Sequence, residues 1–397
     1  MVGLIAARIL YLAAFGDHAG RKLGVTTLIP ERGDIIDRDG HALARTIDAW
    51  TIALHPKKMI GNKLETARTL AKLMPEATSR AGLEPKDIDD LIVGCAQAVG
   101  ENFTLGGRSP AMLANMDKRT SAKMVDEQCG STLAALQIGF MEIAQGFADV
   151  VMCGGMEHMG RIPMGGDGKI ELNLRFFSDP SLRHWDFMTA MNMGLTAEKI
   201  AAMGYSREDM DAWGARSHQL AYKAQQEGFF EGEIMPVDVR QADGSIKTVD
   251  QDQSIRSDAT AEDMAKLRPA FKKDGTIHPG NASPLNAGAS ALLLVDKETA
   301  KAKGIKPLAT IRSIGFAGVE PSIMGTGPVP STRRALEAAG LEASDIDYWE
   351  INEAFAVVAL YAIKELGIDP DKVNVKGGGI AIGHPLGATG GRLVGTL

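Results

Sequence analysis

Cys129 lies in a segment typical of a catalytic nucleophile. The sequence DEQCGST at residues 126–132 precedes the amphipathic run 133–144, which predicts a helix that begins close to the cysteine. Unpaired backbone N–H groups and the positive end of the helix dipole favour a thiolate at such a position. We therefore expect a covalent catalyst whose thiol reacts quickly with iodoacetamide at neutral pH. The alternative is a buried structural cysteine, the commoner fate of a lone cysteine.

Glycines flank His384 on both sides, in the sequence GGGIAIGHPLG at residues 377–387. Glycine permits close backbone approach and unusual dihedral angles, and Pro385 suits the first position of a helix. A histidine placed there could act as the base for a thiol. The alternative is a loop that cradles phosphate, although no Gly-Lys-Ser/Thr sequence follows.

Asn352 and Glu353 follow a predicted strand at residues 348–351. The carboxyl edge of a sheet is where α/β proteins tend to place their sites. Asn352 could orient a water or an oxyanion there, and a helix cap is the equally supported alternative.

A repeated motif indicates the elements that position these residues. The sequence AGLE, followed by DID, begins at Ala81 and again at Ala339. Each copy precedes an apolar, strand-like run and continues to a small-residue turn, which holds Cys129 in the first copy and His384 in the second. The repeat predicts two similar lobes that share one active site.

From about Ala77 onward the sequence alternates between strand and helix patterns. Residues 150–153 and 292–295 are typical of buried strands, and residues 197–226 of one long helix with Thr196 as its N-cap. The irregular, charged region 160–279 resembles a cap inserted over a substrate cleft. The predicted domains are an N-terminal extension at 1–76, an N-terminal lobe at 77–280 that includes the cap at about 160–279, and a C-terminal lobe at 281–397.

The composition of the 397 residues fits a large globular core of two or three packed units. A net charge of −7 gives no reason to expect nucleic acid or an acidic membrane surface as a partner. Three cysteines without metal-ligand spacing indicate a reducing, cytoplasmic setting and no metal. The apolar stretch 2–15 is too short to span a bilayer, and no basic region precedes it.

The sequence RGDIIDRDGHALA at residues 32–44 resembles the membrane-proximal pedestal of class B penicillin-binding proteins. Residues 63–75 could fit the same family, with a helical apolar pattern at 64, 67, 70 and 73. The catalytic part of that family needs a Ser-x-x-Lys motif, and the sequence contains none. We therefore expect residues 1–76 to be an extension that does not pack into the core; a divergent extension of no particular family is the alternative.

Seven motifs closely resemble those of the thiolases, the acetyl-CoA acyltransferases of the degradative and biosynthetic types. They are CGS at 129, GGMEHM at 154–159, MGLTAE at 193–198, RPAF at 268–271, GNAS at 280–283, NEAFA at 352–356 and GGGIAIGHPLGATGG at 377–391. The resemblance covers residues 77–397. It implies an α/β fold of duplicated αβαβα lobes with an inserted cap, and thiolysis or Claisen condensation of 3-oxoacyl-CoA.

The resemblance also implies the roles of individual residues. In the family the cysteine takes the acyl group as a thioester, the histidine activates it, and the asparagine of NEAF holds a water near the thioester oxygen. These roles fall on Cys129, His384 and Asn352. Coenzyme A is implied as a substrate rather than a bound cofactor, with Arg256 near its nucleotide end, Ala270, Phe271 and Ser283 along the pantetheine, and Met193, Met324 and Phe355 nearer the acyl end. A homo-oligomer, dimer or tetramer, is also implied.

Four departures from the family pattern shape our expectations. Ala287 stands where the family usually has Asp, so we expect different local packing there. Asn192 stands where the biosynthetic branch often has His, which favours the degradative branch and fatty acid β-oxidation. The usual first strand of the N-terminal lobe is expected to be missing.

The fourth departure is at the C-terminus, where the family continues from the helix after His384 into a strand with a second Cys-x-Gly. The chain stops at Leu397, so we expect coenzyme A to bind more readily than the chain turns over. Alternative functions are a non-catalytic module that binds coenzyme A or lipid, and a defective fusion product. A cell-wall synthase fragment is a third, resting on the first 75 or so residues alone.

Overall fold

A computed structural model describes residues 45–54, 65–102, 105–162, 173–240 and 243–397. The apolar stretch 2–15 and the segment 32–44, with its resemblance to penicillin-binding proteins, lie outside the described residues.

A mixed five-stranded sheet forms the centre of the N-terminal lobe, in the order β1-β7-β4-β2-β3. Strands β2, β3 and β4 are parallel, whereas β7 is antiparallel to β4 and β1 is antiparallel to β7. A separate hairpin of β5 and β6 lies in the cap. The strands are β1 (Arg45–Leu54), β2 (Asp90–Gly94), β3 (Ser121–Val125), β4 (Val150–His158), β5 (Val237–Arg240), β6 (Ile246–Val249) and β7 (Ala287–Val295).

Helices cover the sheet and build the cap and the C-terminal half. They are α1 (Glu65–Arg80), α2 (Arg108–Leu113), α3 (Ser131–Ala144), α4 (Arg175–Ser178), α5 (Phe187–Ala190), α6 (Met193–Ala201), α7 (Arg207–Gln226), α8 (Ala261–Ala265), α9 (Lys297–Ala302), α10 (Pro328–Ala339), α11 (Ala356–Leu366), α12 (Gly379–Ile382) and α13 (Thr389–Thr396).

The two central strands, β4 and β7, are buried along their whole length, which confirms the strands predicted at 150–153 and 292–295. Successive side chains of a strand point to opposite faces. Met152 accordingly joins the apolar cluster under α1, whereas Val151 joins the cluster under α3. A helix on each face explains why these strands are apolar without alternation.

Strand β1 and helix α1 pack onto this sheet, although both precede residue 77. Strand β1 pairs with β7 from Arg45 opposite Val295 to Leu54 opposite Ala287. The side chains of Leu70, Leu73 and Met74 in α1 are fully buried. The expectation that the N-terminal segment stays outside the core is therefore wrong for residues 45–54 and 65–80, because the free edge of β7 and one face of the sheet offer them partners.

The repeated motif is confirmed as a repeated structure. Gly82 and Gly340 both adopt a left-handed backbone, with φ of 68° and 67°. The turns that follow, Pro85–Asp87 and Ala343–Asp345, are single 3₁₀ turns with the same reciprocal capping by an acid on each side. Glycine is needed at both positions because left-handed backbone is strained for other residues.

The copies differ after the turn. The first continues into β2, which is paired on both sides, whereas the second makes one parallel bridge, between Trp349 and Val373. Residues 296–397, all of which are described, contain helices but no strand. The extended run therefore makes isolated bridges, this one and an antiparallel one between Ala282 and Phe355, rather than a ladder, since a ladder forms only where a neighbour offers successive donors and acceptors.

The long helix predicted at 197–226 is two helices, α6 and α7. Gly204 separates them with φ of 106°, and Ser206 caps α7 by accepting a hydrogen bond from the Asp209 N–H at 3.0 Å. The cap of α6 is Asn192 rather than Thr196, because the Asn192 side chain accepts from Gly194 and Leu195. The unusual residue Asn192 thus has a structural role at a helix start.

Candidate active site

Cys129 lies in a tight turn between β3 and α3. The turn is the 3₁₀ segment Gln128–Gly130, and Gln128 has a left-handed φ of 48°. The Ser131 hydroxyl fixes the turn, since it donates to the Gln128 carbonyl at 2.6 Å and accepts from the Glu127 N–H at 2.9 Å. The half-buried thiol therefore stands at the start of a helix, as the sequence predicted.

Three buried side chains from different elements hold the loop around His384. They accept hydrogen bonds from the loop's backbone: Glu353 from the Ile380 N–H at 3.2 Å, Asn286 from the His384 N–H at 2.9 Å, and Glu157 from the Gly387 N–H at 3.2 Å. Each of these acceptors is fully or almost fully buried. The loop is thus fixed before, at and after the histidine.

Glu353 also joins this loop to the cap. Its carboxylate accepts from Trp213 Nε1 at 2.8 Å and from the Ser217 hydroxyl at 2.6 Å, both on α7. It accepts further from Asn374 Nδ2 at 2.8 Å. Burial raises the pKa of Glu353, and these donors oppose the rise.

The imidazole of His384 contacts three polar groups. Its Nε2 atom lies 3.2 Å from Sγ of Cys129 and 3.3 Å from Nδ2 of Asn352, and its Nδ1 atom lies 2.6 Å from the Thr389 hydroxyl. That hydroxyl donates to the Pro385 carbonyl at 3.1 Å. Because the single hydroxyl proton is used there, the Thr389 oxygen accepts from Nδ1–H. Nε2 is then the acceptor, and both the Cys129 thiol and the Asn352 amide N–H face its lone pair; this is the tautomer that a general base requires.

The surroundings of Cys129 and His384 favour the uncharged form of both side chains. Burial lowers the pKa of His384 to about 4. Burial, followed by the negative charge of Glu157, raises the pKa of the Cys129 thiol to about 12. The helix start was expected to favour the thiolate, but the loss of water around the sulfur outweighs it. At neutral pH the pair is therefore a thiol beside a neutral base.

Asn352 is brought into the site as predicted. Its Oδ1 atom is buried and has no hydrogen-bond partner among the described residues. A buried acceptor without a donor is costly, so the position suits a water or a polar group of a substrate.

Two of the predicted substrate-binding residues, Phe271 and Phe355, lie together. Their rings meet edge to face with centroids 6.0 Å apart. The Phe271 ring lies directly over Gly194, where a Cβ atom would come within 2.1 Å of it. Met193 precedes this glycine and begins α6, so the three predicted residues meet at the start of one helix.

The GNAS and NEAFA segments also pair with each other. The Ser283 N–H donates to the Ala354 carbonyl at 3.0 Å, and Ala282 forms a bridge with Phe355. This pairing places Ser283 beside the strand end that carries Asn352.

The remaining predicted substrate-binding residues are Met324, Ala270 and Arg256. Met324 is in the 3₁₀ helix Pro321–Thr326, which packs against α6. The Ala270 N–H donates to the Ile277 carbonyl, and the Arg256 N–H donates to His218 Nδ1 at 3.2 Å. These contacts of Arg256 and Ala270 are made within the cap rather than with the Cys129–His384 pair.

Four residues that support the pair were given no role from the sequence, although Glu353 was noted beside Asn352. They are Glu157, Asn286, Glu353 and Thr389. Three lie inside the recognised motifs, and Asn286 precedes Ala287, which is buried at the start of β7. A polar side chain at the end of an otherwise apolar strand, an acid or an amide, is the sequence feature that could have identified such residues.

No group of three His, Cys, Asp or Glu side chains among the described residues could hold a metal ion. No described helix is long and apolar enough to cross a membrane.

The sequence matches two family profiles. The profile of the thiolase N-terminal domain matches residues 47–298, and that of the thiolase C-terminal domain matches residues 305–397. The first match begins within β1, before the boundary expected at residue 77.

Several curated relatives share 40–43% identity with the chain. The chain is 42% identical to a 3-ketoacyl-CoA thiolase of Marinobacter nauticus over 338 residues, which are 83% of the chain and 84% of the relative. It is 40% identical to a probable acetyl-CoA acyltransferase of Staphylococcus aureus over 337 residues, 82% of the chain and 84% of the relative.

Solved structures agree with this fold. The human mitochondrial 3-ketoacyl-CoA thiolase superposes with a TM-score of 0.79 at 33% identity, covering 89% of this chain and 91% of that one. The Bacillus anthracis acetyl-CoA acetyltransferase superposes with a TM-score of 0.78 at 34% identity, covering 90% and 91%.

Proposed function

This chain belongs to the thiolase family and is an acyltransferase of the acetyl-CoA C-acyltransferase type, and we propose that Cys129 carries the acyl group while His384 moves the proton. The observation that supports these roles is the 3.2 Å contact between Sγ of Cys129 and Nε2 of His384. Thr389 orients the imidazole so that its lone pair faces the thiol.

The proposed thiolysis has two steps. In the first, Sγ of Cys129 attacks the 3-oxo carbon of a 3-oxoacyl-CoA as its proton passes to Nε2 of His384. The bond between carbons 2 and 3 breaks, the shortened acyl group stays on sulfur as a thioester, and the leaving acetyl-CoA carbanion takes the proton that His384 holds. In the second step the thiol of coenzyme A attacks the thioester and gives its proton to His384; acyl-CoA is released, and His384 passes that proton to the Cys129 sulfur. Asn352 is proposed to hold a water near the thioester oxygen.

The degradative direction is part of this proposal. The relatives in Marinobacter nauticus and Hahella chejuensis are named 3-ketoacyl-CoA thiolases. Fatty acid β-oxidation is the process that supplies 3-oxoacyl-CoA thioesters for thiolysis. Asn192, which stands where the biosynthetic branch often has His, favours the same direction.

We propose that coenzyme A and its acyl thioester lie along the start of α6. The edge-to-face pair of Phe271 and Phe355 supplies an apolar wall there, and Ser283 supplies a polar group. Met193 and Met324 are proposed to face the acyl group, Ala270 the pantetheine, and Arg256 the nucleotide end. Apolar walls with few polar groups are typical of such sites.

A homo-oligomer and a cytoplasmic location are also proposals. Strand β3 lies at the edge of the sheet, and no described strand pairs with its outer side. Exposed Leu105, Met112 and Leu113 lie on and before α2, which contacts β3. An open strand edge beside apolar side chains is a common place for a second copy to pair. All three cysteines are free thiols, which fits a reducing compartment.

The test is a thiolysis assay with a 3-oxoacyl-CoA and coenzyme A, together with peptide mass spectrometry. The wild-type chain should carry an acyl group on Cys129, and Cys129→Ser should lose at least about 10³-fold in rate. Cys153→Ala, which removes a buried thiol outside the site, should keep both. Acylation of Cys95 or Cys153 instead would contradict the role of Cys129. Coenzyme A binding without acylation of a folded chain would favour a non-catalytic module.

A further inference from the structure

Glu198, the last residue of the MGLTAE motif, lies on α6 and holds a neighbouring loop of the cap. The Thr276 N–H donates to Oε1 of its carboxylate at 2.9 Å and to Oε2 at 3.0 Å, and the Thr276 hydroxyl donates to Oε2 at 3.1 Å. The Ile277 N–H donates to Oε1 at 2.8 Å. Hydrogen bonds to a carboxylate are stronger than those between neutral groups. One side chain of α6 thus fixes the backbone of two successive residues.

The loop that is held in this way carries Phe271. The Ala270 N–H donates to the Ile277 carbonyl at 2.9 Å, so residues 270–277 turn back on themselves and are named here the Phe271 loop. Ile277 is fully buried at the base of this loop, whereas residues 271–274 are exposed. Packing therefore fixes the base of the loop, and the position of its outer part depends on its contacts with α6.

Two contacts, one turn of α6 apart, fix the Phe271 loop against the helix. The Phe271 ring covers Gly194, and Glu198 holds the other side of the loop. Residues four apart lie on the same face of a helix. A Cβ atom at Gly275 would lie 2.1 Å from Oε1 of Glu198, and its three nearest atoms would all belong to Glu198. The glycine therefore lets the loop come this close to the carboxylate.

We propose that Glu198 is a positioning residue for the substrate: by holding the Phe271 loop on α6, it keeps the Phe271 ring in the apolar wall that binds the pantetheine arm of coenzyme A. This inference rests on the proposed function, in which coenzyme A lies along the start of α6. The ring completes that wall by its edge-to-face contact with Phe355. A loop that moves away from Glu198 takes the ring away from both Phe355 and the ligand.

Acyl transfer itself should not depend on Glu198. The loop of His384 is fixed by three other buried side chains, Glu157, Asn286 and Glu353. The turn of Cys129 is fixed by the Ser131 hydroxyl. Loss of an interaction that binds substrate and transition state equally raises KM and leaves kcat unchanged. Variants of Glu198 should therefore bind coenzyme A more weakly and, once saturated, turn over at the wild-type rate.

The experiment measures kcat and KM for thiolysis of a 3-oxoacyl-CoA, and the Kd of coenzyme A by calorimetry, in Glu198→Ala, Glu198→Gln and a control, Glu208→Ala. Glu198→Ala should raise KM and Kd by about tenfold or more, as the loss of a hydrogen bond to a charged group commonly does, with kcat within about twofold. Glu198→Gln should stay within about threefold of the wild type, because its amide oxygen still accepts from both backbone N–H groups. Glu208, an exposed acid on α7, makes the same change away from the loop, so Glu208→Ala should match the wild type.

Gly275→Ala tests the same contact from the side of the loop. The backbone of Gly275 is not left-handed, so its new Cβ atom is opposed by Glu198 rather than by backbone strain. Gly275→Ala alone should raise Kd by about tenfold, since the loop must move away from the carboxylate. In Glu198→Ala that obstacle is gone, so the double variant should bind coenzyme A no more weakly than Glu198→Ala alone. A merely structural role would give two independent losses that multiply.

Wild-type KM and Kd in folded Glu198→Ala overturn the proposal, as do losses that multiply in the double variant. A loss in Glu198→Gln as large as that in Glu198→Ala also overturns it, because the amide can make the same backbone hydrogen bonds. If Glu198→Ala does not fold, Gly275→Ala decides, and an unchanged Kd then overturns the proposal. Failure of the proposed function is separate: it would appear as a wild-type chain that binds coenzyme A but never carries an acyl group on Cys129, and the Kd values would still test Glu198.

Discussion

The Nε2 atom of His384 lies 3.2 Å from the Sγ atom of Cys129, although 255 residues separate them in the sequence. The same two segments meet again where the Thr132 hydroxyl donates to the Gly387 carbonyl. One half of the chain thus supplies the proposed nucleophile and the other the base. Neither half alone contains a complete pair.

The acylation rate should depend on pH through His384. Burial lowers the pKa of His384 to about 4, so the imidazole is a neutral base above that pH and a cation without a lone pair below it. We expect single-turnover acylation to be half-maximal near pH 4 and flat from about pH 6 to 8, measured by quenched mass spectrometry. A rate that rises tenfold per pH unit through neutrality would instead indicate attack by a thiolate formed without the base.

Thr389→Val should slow acylation by about 10- to 100-fold, part of the usual contribution of a general base. The valine cannot accept from Nδ1–H, so the proton is free to move to Nε2 and block the lone pair that faces Cys129. Thr389→Ser keeps the hydroxyl and is the matched control. The effect should appear in the rate of acylation rather than in the KM for the acyl-CoA; an equal loss in both variants would point to packing instead.

Gly194→Ala should weaken the binding of acyl-CoA. A Cβ atom at this position would lie 2.1 Å from the Phe271 ring, so the ring must move away from Phe355. We expect KM to rise by about tenfold or more with a smaller change in kcat, since one displaced aromatic contact is worth about 1 kcal/mol or more. Gly318→Ala, where the new Cβ meets open space, should leave KM unchanged. Equal KM values for the two variants would remove Phe271 from the proposed binding site.

His218→Gln should change how stability depends on pH. Burial lowers the pKa of His218 to about 4, so below about pH 6.5 the unfolded chain takes up a proton that the folded chain refuses. The wild type should therefore lose up to about 3 kcal/mol of unfolding free energy relative to the variant between pH 6.5 and 4. Urea unfolding at several pH values measures this difference. An equal pH dependence of the unfolding free energy in the wild type and in His218→Gln would contradict this prediction.

The sequence motifs were enough to predict that Cys129, His384 and Asn352 lie together, because the motifs of one family contain all three. They were not enough to predict the state of the thiol. The helix start suggested an anion, but the pKa of Cys129 is raised by burial and by Glu157, which is 28 positions away and on another strand. Such neighbours depend on how strands are ordered in the sheet, which local spacing does not show.

Local spacing also does not show which distant segments pack together, and this explains where the predicted fold was wrong. The apolar pattern of α1 was visible, yet its place on the sheet depends on the face left open beside β4 and β7. Strand β1 could be read as a strand but not as the partner of β7, since the two lie more than 200 residues apart. The break between α6 and α7, by contrast, had a local signal in Gly204 followed by Ser206 that the helical periodicity concealed.

Glu353 joins the cap helix to the loop of His384, so it couples the local unfolding of these two segments. It accepts from Trp213 and Ser217 of the cap helix and from the Ile380 N–H of the histidine loop. Opening either segment would leave a buried carboxyl oxygen of Glu353 without its donor, so the two should open together as one cooperative unit. In native-state hydrogen exchange the amides of Ser217 and Ile380 should therefore share one opening free energy, although they belong to different halves of the chain.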